Sequence, residues 1–449
     1  MKTKNILLAA LLLMAGNSTM QAQDYNDETI TVTNEKGQEE EIDLPESMTY
    51  EIDSLLNLYH SRAYLHPDTT SHMRDVNPVF DEEVYKQRLK RMPTIIEMPW
   101  NNVVQKFIDL YSSRRRRSVS FMLGASNFYM PVFEQALETY DMPLELKYLP
   151  VIESGLNPKA VSRVGATGLW QFMLATGKRY GLKVNSLIDE RRDPVKASYA
   201  AARYLKDLYK IFGDWNLVIA AYNCGPDKIN KAIHRAGSKD YWQIYPYLPE
   251  ETRGYVPAFI AANYIMTYYC DHNISPMLTD LPVKTDTVLV NRDIHFEQIA
   301  KVLGLDIDQV RELNPQYRRD IVCGTSEPSD LRLPYNYINE FIDKQDSIYN
   351  YHEDELLSKR AIVAVNNDAP TYRRSSSSHK SSSKSTGRHS RNKNSKKQKK
   401  SKRGKSITIR QGDTLSEIAH RNGTTVKKLK QLNGISGSNI RAGKKLRVK

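Results

Sequence analysis

Cysteine is scarce in this chain: Cys224, Cys270 and Cys323 are the three in 449 residues. An odd, widely spaced set builds no disulfide framework, and one disulfide at most can form among them. No two cysteines stand at metal-ligand spacing, and the ten histidines form no His-Glu-x-x-His cluster. Neither a metal nor a cofactor is therefore expected. Long hydrophobic runs are missing as well. Ile6–Ala15 is apolar but too short to span a bilayer comfortably, and no other segment has the length of a membrane helix. Acidic residues are nearly absent from one end. Residues 372–449 hold 24 Lys/Arg and 2 Asp/Glu, a balance of +22, whereas residues 1–371 carry −9, so the net +13 is a property of the tail. Within it, residues 372–405 hold 14 Lys/Arg and no acid. Such a segment has nothing to bury and is expected to be disordered, self-repelling and extended, a tether. It also lacks the interleaved aromatics of a base-stacking platform, which argues against nucleic acid as a partner.

The chain length leaves room for about three domains at roughly 150 residues each. Residues 1–22 read as a signal peptide, with Lys2 and Lys4 before the apolar run and Met20-Gln21-Ala22 offering a small residue for cleavage before Gln23. An uncleaved anchor is the alternative. Residues 23–97 form a polar and helical region that opens on the acidic Glu39-Glu40-Glu41 and carries helical patches around Ser47–Arg62 and Asp81–Arg91. It could pack on the domain that follows as a helical prelude. The run Arg114–Arg117 reads as a solvated face or turn, because acids surround it at longer range.

The most informative stretch is Leu144–Gln171. Asp141 is placed to cap a helix with Pro143 in its first turn. Leu144, Tyr148 and Ile152 recur at helical spacing and predict a core face. Pro150 is expected to weaken the last turn, and Gly155 and Asn157-Pro158 to end the helix. Glu153 then lies at a helix end beside Leu149, Val151 and Ile152. Apolar company disfavours an ionised carboxylate, as a general acid near neutral pH requires. Gly165 and Gly168 permit a close backbone approach, with a short helix expected in the apolar run after them. Further on, Asp193-Pro194 opens a helix that Gly213 closes, with Ala197, Ala201, Tyr204, Leu208 and Phe212 as its apolar stripe; Asp214 caps the next, which ends at Gly225-Pro226. Asp193 is read as a cap rather than a catalytic carboxylate. Asp189 and Glu190 belong to the same turn.

Four motifs stand in order: Glu153-Ser154, Gly168-Leu169-Trp170-Gln171, Ala221-Tyr222-Asn223, and Glu251-Thr252-Arg253-Gly254-Tyr255. This order resembles the SLT-domain (family 1) lytic transglycosylases of bacterial cell walls, over roughly residues 98–280. The resemblance implies a mainly α, lysozyme-like catalytic domain. It implies cleavage of the β-1,4 bond between N-acetylmuramic acid and N-acetylglucosamine, with 1,6-anhydromuramyl ends as product. Glycoside hydrolysis usually needs two carboxylates, and here one clear candidate, Glu153, is on offer. One suffices if the attacking group is the substrate's own C6 hydroxyl. By the same resemblance Ser154 and Gln171 bind substrate or orient Glu153, Tyr222 and Asn223 line the cleft, and Tyr255 hydrogen-bonds Glu153. Trp170 is either an apolar wall for the acid or core. Cys224 stands where a small alanine is usual and is expected to pack as a small hydrophobe. Relatives carry a lipid on a cysteine after the signal, and none stands here, so export to the periplasm or envelope without a lipid is expected.

Residues 283–336 and 406–449 read as two copies of one small unit. In the second, Ile407–Arg410 and Lys445–Val448 are strand patterns around two helices; one opens at Gly412-Asp413-Thr414-Leu415 and is closed by Gly423, and the other ends at Asn433-Gly434. The unit resembles a LysM module, a βααβ fold that binds N-acetylglucosamine-containing glycans. That resemblance makes Gly412, Asp413, Thr414, Leu415, Asn433, Gly434 and Ile435 the candidate glycan contacts. The first copy keeps Ile299, Ala300, Gly304, Ile307, Val310, Leu313 and Asn314 in register but has Asp293-Ile294-His295-Phe296 at the binding turn, so it is read as a divergent module. Residues 337–405 would be linker. The expected partners are peptidoglycan glycan strands and, through the basic linker, anionic wall or membrane polymers. Two other readings stay open: a water-using muramidase on the same fold, and an inactive wall-binding protein.

Overall fold

The computed structural model describes residues 29–33, 38–45, 48, 65–70, 76–282, 284–358, 360–361, 406–408, 415–422, 424–433 and 444–448. Residues 1–22, 51–62, the basic segment 372–405 and Gly412, Asp413, Thr414, Gly423, Gly434 and Ile435 lie outside that set. The chain divides into one unit up to residue 371 and a second from residue 372.

The first unit is mainly helical from Glu82 to Tyr268. At its centre lies the helix Tyr255–Tyr268, in which every residue from Tyr255 to Met266 is buried. A helix apolar on all sides has to be surrounded. The helices Asn102–Ser112, Leu149–Ser154 and Trp215–Cys224 pack on it, while Arg116–Thr139 packs on Pro194–Phe212. Local chemistry sets the ends. The Asn101 side chain accepts from the Val104 N–H and opens Asn102–Ser112. Asp193 accepts from the Val195 and Lys196 N–H groups, Gly213 closes that helix in the left-handed region, and Asp214 accepts from Leu217 to open the next. The expected stripe is buried at Ala197, Ala201, Leu208 and Phe212, with Tyr204 packed at its margin.

The stretch before Glu153 folds differently from its sequence reading. Asp141 caps nothing and takes a left-handed φ of 55°. Leu144–Tyr148 is a 3₁₀ segment, and the α-helix proper runs from Leu149 to Ser154 with Pro150 in its first turn. Pro150 has no N–H to give to an earlier carbonyl, so a continuous helix through it would be broken; the chain restarts there instead. The core face shifts accordingly: Leu144 is exposed, and Leu146, Leu149, Val151 and Ile152 are buried.

The N-terminal region is anchored to this core. Thr29–Thr33 and Glu39–Asp43 form an antiparallel hairpin in which Val32 and Ile42 are buried, resting on Asn102–Ser112 and Glu250–Arg253. The Arg253 guanidinium pairs with Glu40. The helix Glu82–Arg91 buries Tyr85 and Leu89. Its Arg88 donates to the Tyr264 hydroxyl at 2.9 Å and pairs with Asp271 at 3.0 Å, and Tyr268 donates to the Arg88 carbonyl at 3.0 Å. Of the arginine run, Arg115 is buried and Arg116 donates to the His272 and Asn273 carbonyls at 2.9 and 2.8 Å. These two therefore stitch the fold rather than face solvent.

Gly254 is where the hairpin meets the core. Its φ is an ordinary −75°, but a Cβ there would lie 2.6 Å from the Asp43 carbonyl oxygen and 3.1 Å from Ile42 and Phe107. Gly254→Ala should lift the hairpin and cost about 1–3 kcal/mol, the usual cost of overpacking. Thermal unfolding with limited proteolysis of residues 29–43 checks this; an unchanged melt and cleavage pattern would contradict the packing.

In residues 284–350, Thr285–Val290 pairs antiparallel with Ser329–Pro334, and Asp293–His295 with Ile321–Cys323. The helices Phe296–Leu303 and Ile307–Leu313 lie between them. This is the expected βααβ plan with one further strand pair. The strand Asp293–His295 occupies the position of the binding turn, and His295 caps Phe296–Leu303 in a capping box with Gln298. The linker expected from residue 337 starts later: Ile338–Asp343, Gln345–Asn350 and Glu353–Leu356 are helical, with Phe341, Ile348 and Tyr349 in the module's core. Gln298 holds them by donating to the Tyr349 and Tyr351 carbonyls, each at 2.9 Å.

In the second unit, Ser406–Thr408 pairs with Lys445–Arg447 around the helices Leu415–Arg421 and Val426–Asn433. Leu415, Ile418, Ala419, Leu429, Leu446 and Val448 form its core. The two modules share a device that identifies them as copies. Asn433 donates to the Leu429 and Arg447 carbonyls and accepts from the Arg447 N–H. Asn314 does the same with Val310 and Arg332. Of the expected glycan contacts, Asn433 spends its amide on backbone and the Leu415 side chain is core.

Candidate active site

Glu153 sits at the last turn of Leu149–Ser154, half-buried. Gly155 caps that turn with φ 56°, ψ 34°, and the left-handed cap turns the chain sharply away from the carboxylate. The Tyr255 hydroxyl donates to Glu153 Oε1. Tyr255 is 1% exposed. Burial first, and then the negative charge of Glu153, push its phenol well above the ordinary tyrosine range, so it remains a donor. Tyr222 is pushed up by the same two causes in the same order.

The motif Gly168-Leu169-Trp170-Gln171 is a tight loop, not the short helix expected after the glycines; the next helix is Leu174–Arg179. Its carbonyls are tied to the residues around the acid. Ser154 Oγ lies 3.1 Å from the Pro150 carbonyl and 3.0 Å from the Leu169 carbonyl. Tyr222 donates its hydroxyl to the Trp170 carbonyl at 2.8 Å. Gln171, with φ 46°, donates to the Gly168 carbonyl at 2.8 Å and reaches that of Ala160 at 3.4 Å. Asn223 accepts from the Thr252 hydroxyl at 2.9 Å, which links it to the helix just before Tyr255.

The structure thus gathers Glu153, Ser154, Gln171, Tyr222, Asn223 and Tyr255, and it shows what Trp170 and Ser154 are bonded to. Trp170 is 0% exposed, packs edge-on against Phe133 and donates its indole N–H to Ser198 Oγ at 2.9 Å. It offers no face to a ligand and is core. Ser154 is buried and acts by fastening the loop. Glu153, Gln171, Tyr222 and Asn223 are the half-buried members.

The other nearby acids of the sequence reading are committed elsewhere. Asp189 pairs with Arg191 at 2.8 Å, Glu190 with Lys196 at 2.8 Å, and Asp193 caps its helix. Cys224 is half-buried, and burial pushes its thiol up. All three cysteines are free thiols. The described residues contain no group of His, Cys, Asp and Glu able to hold a metal ion.

Arg191 is the site residue the sequence reading missed. It donates to the Gly165 and Phe172 carbonyls, each at 3.1 Å, and so clamps both ends of the loop. The charged run Asp189-Glu190-Arg191-Arg192-Asp193 was the available signal, though nothing in it names a partner some twenty residues upstream.

Residues 130–245 match the transglycosylase SLT domain, residues 284–350 the LysM-like domain of lytic transglycosylase MltD, and residues 407–449 the LysM domain. The membrane-bound lytic murein transglycosylase D of Escherichia coli K12 is 29% identical over 325 residues, 71% of this chain and 63% of that protein. The match therefore spans less than two thirds of that relative's length. The soluble lytic murein transglycosylase of the same organism is 33% identical over 183 residues, 39% of this chain and 26% of the other. A crystal structure of the 70 kDa soluble lytic transglycosylase from E. coli aligns with TM-score 0.29 at 27% identity, covering 33% of this chain and 26% of that one.

Proposed function

We propose that this chain, whose residues 130–245 match the transglycosylase SLT domain, is an exported peptidoglycan lytic transglycosylase. It cleaves the β-1,4 bond between N-acetylmuramic acid and N-acetylglucosamine and leaves a 1,6-anhydromuramyl end. The observation that carries this reading is the pairing of a half-buried Glu153 with the buried phenol of Tyr255, beside a loop fastened to the same helix end.

A single carboxylate does the proton work in two steps. Protonated Glu153 gives its proton to the glycosidic oxygen as the C1–O bond of the muramic sugar breaks. The carboxylate left behind is stabilised by the hydrogen bond from Tyr255, which stays protonated. It then takes the proton of the muramic C6 hydroxyl while that oxygen bonds to C1. The acid ends as it began and no water is consumed. The ion pairs and cap that hold Asp189, Glu190 and Asp193 support this one-acid scheme, since none is poised as a second base. Gln171, Tyr222 and Asn223 are the groups we assign to the sugar.

We assign the C-terminal LysM module to glycan strands and the basic segment 372–405 to a tether, with anionic wall or membrane polymers as its secondary contact. Residues 1–22 we assign to export. Among the described residues no helix is long and apolar enough to cross a membrane.

Digestion of purified peptidoglycan with mass analysis of the products tests the reading. Fragments lighter by one water than reducing-end fragments are the expected result. Reducing ends in their place would mean a hydrolase, and intact strands with the protein pelleting onto them would mean a binding protein.

A further inference from the structure

We infer that the LysM-like module is a fixed buttress of the catalytic loop, acting through a relay from Arg318 to Asp189 to Arg191. Arg318 and Arg191 are then positioning residues for Glu153. The inference rests on the reading of Glu153 as the acid, but its physical part, the stiffness of the loop, does not.

The module is joined to the catalytic domain by backbone. The Asp189 N–H donates to the Gln316 carbonyl and the Arg318 N–H to the Leu187 carbonyl, both at 2.8 Å, with Ile188 and Tyr317 bridged antiparallel between them. Residues 316–318 therefore lie antiparallel to 187–189 across a single bridge. At this seam the Asp189 carboxylate is fully buried. Arg191 binds it through two nitrogens, Nε at 2.9 Å and Nη2 at 2.8 Å, and Arg318 Nη2 approaches at 3.4 Å. Arg318 also donates to the Asn185 carbonyl at 3.2 Å. With two nitrogens engaged on Asp189, Arg191 has one direction left for Nη1, and that direction leads to the Gly165 and Phe172 carbonyls. A two-point carboxylate contact fixes the plane of a guanidinium, which a single contact does not.

The loop so clamped is the one that meets the acid. Its Leu169 carbonyl bonds Ser154, the residue after Glu153, and its Trp170 carbonyl bonds Tyr222. A second tie runs alongside. Lys159 pairs with Glu312 of the module at 2.6 Å, and the adjacent Ala160 carbonyl accepts from the Gly168 N–H at 2.9 Å. Glu312 is buried, so the pair is shielded from solvent. Both ties enter the loop from the module side, the second through the Ala160 carbonyl that Gln171 also reaches. A module that served as a glycan arm alone would need no buried charge contact to Asp189.

Arg318→Ala tests the relay. Its side chain is one-third exposed, so removal should leave the fold intact. Glu327→Ala is the comparison, because its pair with Lys183 crosses the same seam with both partners half-exposed and lies off the relay. Two readouts are taken: hydrogen exchange at the Thr167, Gly168, Gln171 and Phe172 amides, and kcat and KM on peptidoglycan. Arg318→Ala is expected to exchange about tenfold faster at those amides and to lose about tenfold in kcat at little-changed KM, a modest fraction of what misplacement by about 1 Å costs. Arg318→Lys should recover part of both, and Glu327→Ala should stay within about twofold, as exposed pairs do. Unchanged loop exchange in Arg318→Ala would overturn the inference, as would a loss confined to KM. An inactive wild type would sink the functional reading alone, because the exchange readout stands without turnover.

Discussion

Glu153→Gln should leave a protein that melts like the wild type and releases anhydro products about 10²–10⁴-fold more slowly, the range general acid–base catalysis usually contributes. The substitution is close to isosteric, and the amide oxygen can still accept from the Tyr255 hydroxyl that now bonds Oε1. Gly155 and the Ser154 contacts, which set the helix end, are untouched. What is lost is the proton. An amide neither protonates the leaving oxygen nor takes the proton of the C6 hydroxyl, so both halves of the cycle fail together. Because Asp189, Glu190 and Asp193 are engaged in pairs and a cap, none of these three is poised to substitute. Product release from purified peptidoglycan, followed with a melt of the same sample, is the measurement. Turnover within about tenfold of wild type would mean that another group supplies the acid, and the one-carboxylate scheme would be abandoned.

How much of this was legible in the sequence follows from the range of the forces involved. Asp193, Gly213 and Asp214 were readable because a cap is decided within three or four residues. The failure at Asp141 is also local: Pro150, weighed as a defect at the helix's end, is its start. Trp170 could be assigned neither way from spacing, since its burial depends on Ser198, on a different helix. The packing of Asn433 and Leu415 was hidden for the same reason: strand and helix must close on each other before either side chain's partner is visible. The hairpin Thr29–Asp43 was hidden by its acidic run, although Ile30, Val32 and Ile42 alternate with polar residues as a half-buried strand requires. The four ordered motifs pointed to the candidate site because each holds at least one member of it. The clamp that joins them was not among the motifs, since Arg191 acts on Gly165 and Phe172 and answers to Arg318, over a hundred residues away.

Gly168→Ala should be far more damaging than Gly165→Ala, though both glycines hold nearly the same left-handed backbone, φ 87° and 85°. A side chain in that region costs roughly 1–2 kcal/mol from strain with its own backbone. At Gly165 that is the whole cost, because a Cβ there would meet nothing within 4 Å. At Gly168 the same atom would lie 1.8 Å from the Arg191 carbonyl oxygen and 2.7 Å from its carbon. Backbone on both sides leaves no flexible side chain to give way, so the loop has to move off the Glu190–Arg192 turn by more than 1 Å. That shift breaks the clamp on Gly165 and Phe172 and drags the Leu169 and Trp170 carbonyls from Ser154 and Tyr222. We expect Gly165→Ala to lose about 1–2 kcal/mol and to keep activity within about threefold, since its strain is local. Gly168→Ala should lose about 3 kcal/mol or more, with activity down at least about 10²-fold from misplacement of the site. Paired denaturant melts and turnover on peptidoglycan measure both. If the two variants behave alike, the close approach of the loop to Arg191 is not what holds the acid's surroundings, and strain at the glycines alone would account for the motif.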